Sequence, residues 1–314
     1  MTESERLLGN CTPTSPRTAF FAYSTDIDPK HFGYILECLT EYEWDRNFAF
    51  FANVRFDMMK PDSIDYYSDF SSFNNSIYSQ YPDPSLGYSN PDTGSDVLKV
   101  IGRFLDNTQV PVCGSVIHIC LKRYPNEMDI DNLIARIRQT HSIVAVAIST
   151  NSSGGLYSQT MYNLATKTNG LGFFGKDSSA GYEIAAYEIS FFEKTPYFTY
   201  SKNVNVSGNG SVTLPSMYAS PSFKLIIITV QDSGIMSTFQ NMSLTFHGST
   251  ETYRLTPQSG YYETDINFIW DSKNFNDTNY SVTLDYQYSD SKQQTLQIRV
   301  NSWDKIAYWI PYAD

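Results

Sequence analysis

The apolar residues follow two different periodicities along the chain, and the change between them near Glu193–Pro196 divides it. In the first stretch, Thr18–Tyr23 (TAFFAY) is apolar without interruption, the pattern of a strand buried on both faces. Pro29–Tyr42 carries Phe32, Ile35, Leu36 and Leu39 at helical spacing, with Asp28 placed as N-cap and Pro29 at the first helical position. Asn47–Phe56 reads as a second strand, and residues 57–93, polar and rich in Tyr, Ser and Pro, predict a shorter strand or helix inside long loops. A helix follows over Ser95–Leu105, with Val97, Leu98, Ile101 and Leu105 on one face, then a strand over Val112–Leu121. Asp129–Thr140 is amphipathic, with Ile130, Leu133, Ile134 and Ile137 inward, and Ser142–Ser149 is a further buried strand. Leu156–Thr168 predicts a helix, Gly170–Phe174 a short strand and Ala180–Ile189 a closing helix. Strands apolar on both parities and separated by helices imply an α/β fold: a doubly wound, mostly parallel sheet covered on both sides.

After about residue 195 helical spacing disappears and two-residue alternation takes over. Leu244 and Phe246, Ile266 and Phe268, Val282 to Tyr288, and Leu296, Ile298 and Val300 each occupy alternate positions. Turn-formers such as Ser207-Gly208-Asn209-Gly210 separate these runs. Roughly seven short strands in this length predict an antiparallel β-sandwich. The expected organisation is therefore a tail (1–16), an α/β domain (17–192) and an all-β sandwich domain (196–314).

Composition narrows the partners. Of 314 residues, 41% are hydrophobic, enough for true cores, and Lys plus Arg total 22 against 33 acids, a net charge of −11. That balance argues against nucleic acid or an anionic membrane, which need clustered cations. No apolar run is long enough to span a bilayer. Sequons occur at Asn10, Asn74, Asn151, Asn205, Asn209, Asn241, Asn276 and Asn279, against about four from composition alone, and this excess points to glycosylation and an extracellular or cell-surface location. Residues 1–19 show neither a basic n-region nor an apolar h-region, so an extracellular protein would have its leader upstream or already removed. Cys11, Cys38, Cys113 and Cys120 allow three complete pairings. A Cys113–Cys120 bridge is disfavoured by opposite strand faces, while Cys11 with Cys38 or Cys113 would tether the tail; four buried thiols is the alternative.

The order of elements, with Tyr23-Ser24-Thr25-Asp26 after the first strand, Asp92-Thr93-Gly94 before a helix, the fourth strand, and Leu164-Ala165-Thr166-Lys167-Thr168-Asn169-Gly170-Leu171, resembles the von Willebrand factor A fold, a Rossmann-type architecture, over residues 17–190. KRYPNE, HSIVAVA and SSGGLYS, followed by a β-rich tail, are similar to nematode-type extracellular proteins with a divergent A domain. The resemblance implies a ligand face at the carboxyl ends of the strands, in many relatives built around a divalent metal held by Asp-x-Ser-x-Ser, a Thr and a second Asp. Here the first motif reads Tyr23-Ser24-Thr25-Asp26-Ile27, Thr93 stands for the Thr, and Lys122-Arg123-Tyr124 replaces the second Asp. A cation in place of an acid turns attraction into repulsion on the order of several kcal/mol, so neither a metal nor any other cofactor is expected, unless Asp26 and Asp28 rescue a site by a shift of register. The candidate ligand-binding residues are Tyr23, Ser24, Thr25, Asp26, Thr93, Lys122, Arg123, Tyr124, Ser152 and Ser153. Lys122 and Arg123 either face an acidic partner group or are solvated and salt-bridged.

Other motifs carry less. Gly170-x-Gly172-x-x-Gly175-Lys176 matches a dinucleotide fingerprint but follows a helix and has Asp177 where a phosphate loop needs Ser or Thr, so these read as turn glycines beside an edge strand. His118 reads as a core histidine, and no Ser/His/Asp ordering supports catalysis. Ser152-Ser153-Gly154-Gly155 is either an anion-accepting helix start or a simple βα turn. Tyr66, Tyr67, Tyr78, Tyr81 and Tyr88 either form an adaptable recognition loop or cover their own domain. The expected function is non-enzymatic recognition or adhesion in matrix or host-defence contacts, with a protein or glycan ligand. A hydrolase assembled from distant residues, or a structural interaction module, are the alternatives.

Overall fold

The computed structural model describes residues 11–41, 44–176, 182–183, 185–186, 197–218, 220–230, 238–258, 266–276 and 279–313. The chain forms two compact units, residues 1–194 with Ala307–Trp309, and residues 195–306 with Ile310–Asp314.

The first unit is a sheet of six strands: β1 (Thr18–Ser24), β2 (Phe50–Phe56), β3 (Asp65–Tyr67), β4 (Val116–Leu121), β5 (Ile143–Ser149) and β6 (Leu171–Gly175). Their order is β3-β2-β1-β4-β5-β6, parallel throughout except for the antiparallel edge strand β3. The helices are α1 (Pro29–Glu41), α2 (Phe70–Ser79), α3 (Val97–Leu105), α4 (Asp131–Gln139) and α5 (Gln159–Lys167). The fold class read from the hydrophobic pattern is the observed one. Both parities of each central strand are buried, as that pattern required. Phe20, Ala22, Ile117, Ile119, Val144 and Val146 pack with Val97, Ile101, Phe104, Ile137 and Met161 of α3, α4 and α5. On the opposite parity Phe21 and Tyr23 meet Phe32 of α1, and Phe51 meets Phe73 of α2. Each such fully buried side chain contributes about 1.5–3 kcal/mol, the main term opposing chain entropy.

Element boundaries differ where backbone geometry intervenes. Gly114 adopts φ +63°, which turns the chain and delays β4 to Val116. The inward face of α3 is Val97, Val100, Ile101 and Phe104, with Phe104 stacked 4.3 Å from Phe20, whereas Leu98 and Leu105 are only half-buried. The segment 57–93 contains both β3 and α2, the latter capped by Asp69, whose carboxylate accepts the Ser72 N–H at 2.8 Å. At α1, Asp28 accepts the Lys30 N–H at 2.8 Å, as a cap should. Of the expected closing helix, residues 182–183 and 185–186 are helical and the remainder lies outside the described residues. Gly170 and Gly172 are required by packing: a Cβ would sit 1.7 Å from the Val144 carbonyl oxygen and 2.6 Å from the Tyr162 ring, respectively.

Of the pairings the sequence left open, the structure contains Cys11–Cys113, with Cα atoms 5.5 Å apart and a sequence separation of 102. Closing a loop of that size restricts the unfolded chain by roughly 4–5 kcal/mol in the entropic account. Cys120 is a buried free thiol in β4, and the Cys38 side chain lies outside the described residues. Trp309 stacks on His141 at 5.0 Å and donates its indole N–H to the Cys11 carbonyl at 3.3 Å.

The second unit is a β-sandwich. Its strands are β7 (Tyr197–Val206), β8 (Asn209–Tyr218), β9 (Phe223–Val230), β10 (Phe239–His247), β11 (Thr252–Leu255), β12 (Phe268–Asn274), β13 (Asn279–Tyr288) and β14 (Gln294–Ser302). They form two antiparallel sheets, β11-β10-β13-β8 and β12-β9-β14-β7. The alternating residues read from the sequence fill the space between them: Leu244, Phe246, Val282, Leu284, Leu296, Ile298 and Val300 are fully buried.

Candidate functional site

Strand order reverses between β1 and β4, which parts the loops that follow them and opens the position where doubly wound sheets bind ligands. In this protein that position is filled from within. Arg123, the second residue after β4, is 2% exposed. Its Nε donates to Asp26 Oδ2 at 2.8 Å, Nη1 to the carbonyls of Asn90 and Thr93 at 3.1 and 2.9 Å, and Nη2 to the Tyr88 carbonyl at 2.8 Å. The guanidinium also faces the Tyr88 ring, 5.6 Å from its centroid. Ser153 Oγ donates to the same Asp26 oxygen at 2.5 Å. Neighbouring glycines make the room. A Cβ at Gly154 would lie 2.2 Å from Arg123 Nη1, and one at Gly87 would lie 2.2 Å from Asp26 Oδ1. Gly155, at φ +77°, brings the loop against the Tyr124 carbonyl.

A second buried carboxyl lies beside the first. Asp57 follows β2 at φ +64° and is fully buried. Its Oδ2 accepts the Ser24 hydroxyl at 2.6 Å, its Oδ1 accepts the Asp96 N–H at 3.2 Å, and its own N–H donates to Asp96 Oδ1 at 2.9 Å. Burial pushes the Asp57 pKa up to about 7; hydrogen bonds from Ser24 and Ser95 oppose the rise, and the nearby charges of Asp96 and Asp26 add to it.

The ten sequence-predicted residues therefore separate. Ser24, Asp26, Thr93, Arg123 and Ser153 converge around the guanidinium and its carboxylates. Tyr23 does not join them: it is fully buried among Phe21 and Phe32, donating to the Gln80 carbonyl at 2.8 Å, and burial raises its pKa. Thr25 is also buried, exchanging hydrogen bonds with the Asp83 backbone at 2.9 and 3.1 Å. Lys122 is half-buried and donates to Ser149 Oγ at 3.2 Å, while the Tyr124 hydroxyl donates to the Ser149 carbonyl at 2.8 Å. Ser152 is exposed, its hydroxyl donating to the Gly154 carbonyl. Tyr23, Ser24, Thr25 and Arg123 are thus corrected from ligand contacts to interior supports, because full or nearly full burial keeps a ligand from them. Sequence reasoning missed Asp57 and Asp96, whereas Gly154 lies in the Ser152–Gly155 run it singled out. An acid directly after the apolar strand β2 was the available signal for Asp57.

The metal that the fold resemblance implies does not fit these residues. The Ser24 hydroxyl is spent on Asp57, Asp26 is neutralised by Arg123, and a dication would meet a guanidinium anchored by three backbone carbonyls. Among the described residues, no group of three or more His, Cys, Asp or Glu side chains is placed to hold a metal. His118 is buried 5.4 Å from the Trp44 ring, and burial lowers its pKa to about 3, which keeps it neutral. Gly170, Gly172 and Gly175 serve the β6 edge rather than a phosphate.

Comparison with known proteins adds a family model and several distant folds. Residues 202–303 match a model described as "Domain of unknown function (DUF7154)". No curated protein matches the chain in sequence. Among solved structures, the chain is similar to proximal thread matrix protein 1 of the mussel byssus, at 10% identity and a TM-score of 0.40, covering 63% of this chain and 50% of that one. A Clostridium thermocellum xylanase 10B comprising CBM22-1 and GH10 modules, complexed with xylohexaose, aligns at 9% identity and a TM-score of 0.22, covering 37% of this chain and 30% of that one. A carbohydrate-binding module of Cellvibrio mixtus lichenase 5A, in complex with cellotriose, aligns at 14% identity and a TM-score of 0.19, over 35% of this chain and 92% of that one. The chain thus spans half the length of the byssus protein.

The buried charges make two effects measurable. Removing one partner of a buried pair strands the other, so Arg123→Ala should lower the unfolding free energy by about 3–5 kcal/mol in urea titration. Arg123→Met combined with Asp26→Leu should recover most of that loss; a single-variant loss under about 1 kcal/mol would contradict the pairing. For Asp57 the folded pKa, about 7, exceeds its ordinary 3.8, so the folded state binds the proton more tightly than the unfolded chain does. The stability this proton confers is therefore fully present below about pH 4 and is lost as pH rises toward 7, at roughly 1.4 kcal/mol for each pH step of one. Asp57→Asn, which tolerates the same positive φ, should flatten stability between about pH 4 and pH 7; an unchanged slope would refute the assignment.

Proposed function

We propose that the chain is a non-enzymatic recognition protein of the extracellular space or cell surface. In this reading its first unit is a von Willebrand factor A-type domain that works without metal, in adhesion, matrix or host-defence contacts. The carrying observation is Arg123, a tethered cation bonded to Asp26 at the strand-end position where the fold resemblance puts an ion. Strand order β3-β2-β1-β4-β5-β6 with an antiparallel β3 supports the kinship. The Cys11–Cys113 disulfide supports an oxidising compartment, as do the sequon asparagines Asn151, Asn205, Asn209, Asn241, Asn276 and Asn279, all exposed. Asn74 is half-buried, and Asn10 lies outside the described residues.

The ligand, a protein or glycan, meets the rim around the sealed centre rather than the centre itself. The 151–157 loop lies along 91 and 124–125, with the Gly155 N–H bonded to the Pro91 carbonyl and the Tyr157 N–H to the Pro125 carbonyl, at 2.8 and 3.0 Å. It exposes Leu156 at 66% and Tyr157 at 38%, and Met128 nearby at 68%, alongside Asp92 and Ser152. Such side chains provide apolar anchors within a polar rim. The full chain should bind at least one of immobilised collagen, fibronectin or laminin, equally in EDTA and in calcium plus magnesium. Leu156→Asp with Tyr157→Ala should weaken that binding about tenfold or more. Binding lost in EDTA, or indifferent to both substitutions, would overturn the reading.

A further inference from the structure

The outward face of sheet β11-β10-β13-β8 carries an ordered polar lattice in the second unit, separate from the rim described above. Asn209, Gln287 and Asn241 stand side by side across β8, β13 and β10, and Ser211, Asp285 and Ser243 form the next row. The alternate positions, Val212, Leu284, Leu244 and their neighbours, face the core. Arg254 of β11 closes the lattice: its Nη2 donates to Ser243 Oγ at 3.0 Å, and Ser243 Oγ donates to Asp285 Oδ2 at 3.0 Å. Ser243 is 3% exposed, so this relay is held under the guanidinium rather than loose in water. Beside it runs an open groove of about 160 Å³ whose polar lining is Asn241, Ser243, Arg254, Thr256, Asp285 and Gln287, with Met242 and Tyr286 adding apolar surface.

We propose that this groove binds a neutral oligosaccharide through its hydroxyl groups. The chemistry of the lining selects that class. One guanidinium and one carboxylate cancel, so an anionic ligand meets Asp285 and a cationic one meets Arg254 without net gain. An apolar ligand would strip water from amides and hydroxyls and return no hydrogen bond. Sugar hydroxyls, each donor and acceptor, match a surface of alternating amide, hydroxyl, carboxylate and guanidinium groups. The groove is open, which suits a chain rather than an enclosed small molecule, and it stands on paired strands, which hold such groups more rigidly than loops do. Asn241 is itself a sequon asparagine, exposed at the groove, and Asn209 is the opposite end of its row. The sugar therefore has two sources: a glycan linked to Asn241 that folds back onto the lattice, or a free oligosaccharide.

The test titrates glycan-free full chain with chitobiose, cellohexaose, xylohexaose, laminarihexaose and mannopentaose while following amide resonances. At least one probe should shift Asn241, Ser243, Asp285 and Gln287, and Arg254→Ala or Gln287→Ala should each weaken it about tenfold, whereas Ser281→Ala, on the same strand outside the groove, should not. Protein made in a secretory host separates the sources. Probe binding that is blocked there and restored when the same host is grown with an inhibitor of N-glycosylation assigns the groove to the protein's own glycan, and equal binding in both preparations assigns it to a free one. No shift with any probe, or shifts indifferent to both groove variants, would overturn the proposal, and neither result bears on the rim of the first unit.

Discussion

One buried ion pair organises the strand-end face of the first unit. Taking Arg123 and Asp26 out of water costs several kcal/mol for each ion, and their mutual attraction offsets this only because the remaining donors and acceptors are also satisfied. Three backbone carbonyls and the Ser153 hydroxyl complete the set. As a result, the loops after β1, β4 and β5 and the 88–93 segment all end on one ion pair. Gly87 and Gly154 are small because that guanidinium and its carboxylate occupy the space a Cβ would take. A planar fork with five donors suits this task, whereas a lysine could not reach three carbonyls and a carboxylate together.

The same arrangement explains why an open α/β crevice becomes a closed one. Elsewhere in such folds a mobile cation or ligand neutralises the acids and carbonyls at the switch point. Here the neutralising charge is covalently part of β4's exit, so the face has a fixed charge state that solution cations do not control. Asp57 remains as a carboxyl that burial drives toward neutrality. On the rim around this closed centre Leu156, Tyr157 and Met128 remain exposed.

The architecture was legible because its signals are local. Uninterrupted apolar strands such as Thr18–Tyr23 and Ser142–Ser149 are buried on both sides, and the alternation at Leu296, Ile298 and Val300 marks one apolar face of a strand, although β14 buries its polar parity too, at Gln297, Arg299 and Asn301. The meeting of the strand-end loops was legible, but the direction in which each side chain turns was not. The Tyr23–Asp26, Thr93, Lys122–Tyr124 and Ser152–Ser153 segments do meet at one sheet end, yet whether Lys122 or Arg123 turns inward depends on contacts from four segments distant in sequence. Tyr23 shares strand parity with Ala19 and Phe21, which places it in the aromatic layer with Phe32, and that alternation was available to sequence reasoning. The Cys11–Cys113 bridge was not, since spacing alone left three pairings open.

The most direct measurement is manganese titration of the full chain, read by paramagnetic broadening of its amide resonances. With Arg123 seated on Asp26, the account predicts no selective broadening of Ser24, Asp26 or Thr93 at any concentration below millimolar. Selective loss of those three signals at micromolar manganese would show a cation displacing the guanidinium, and would contradict the central claim.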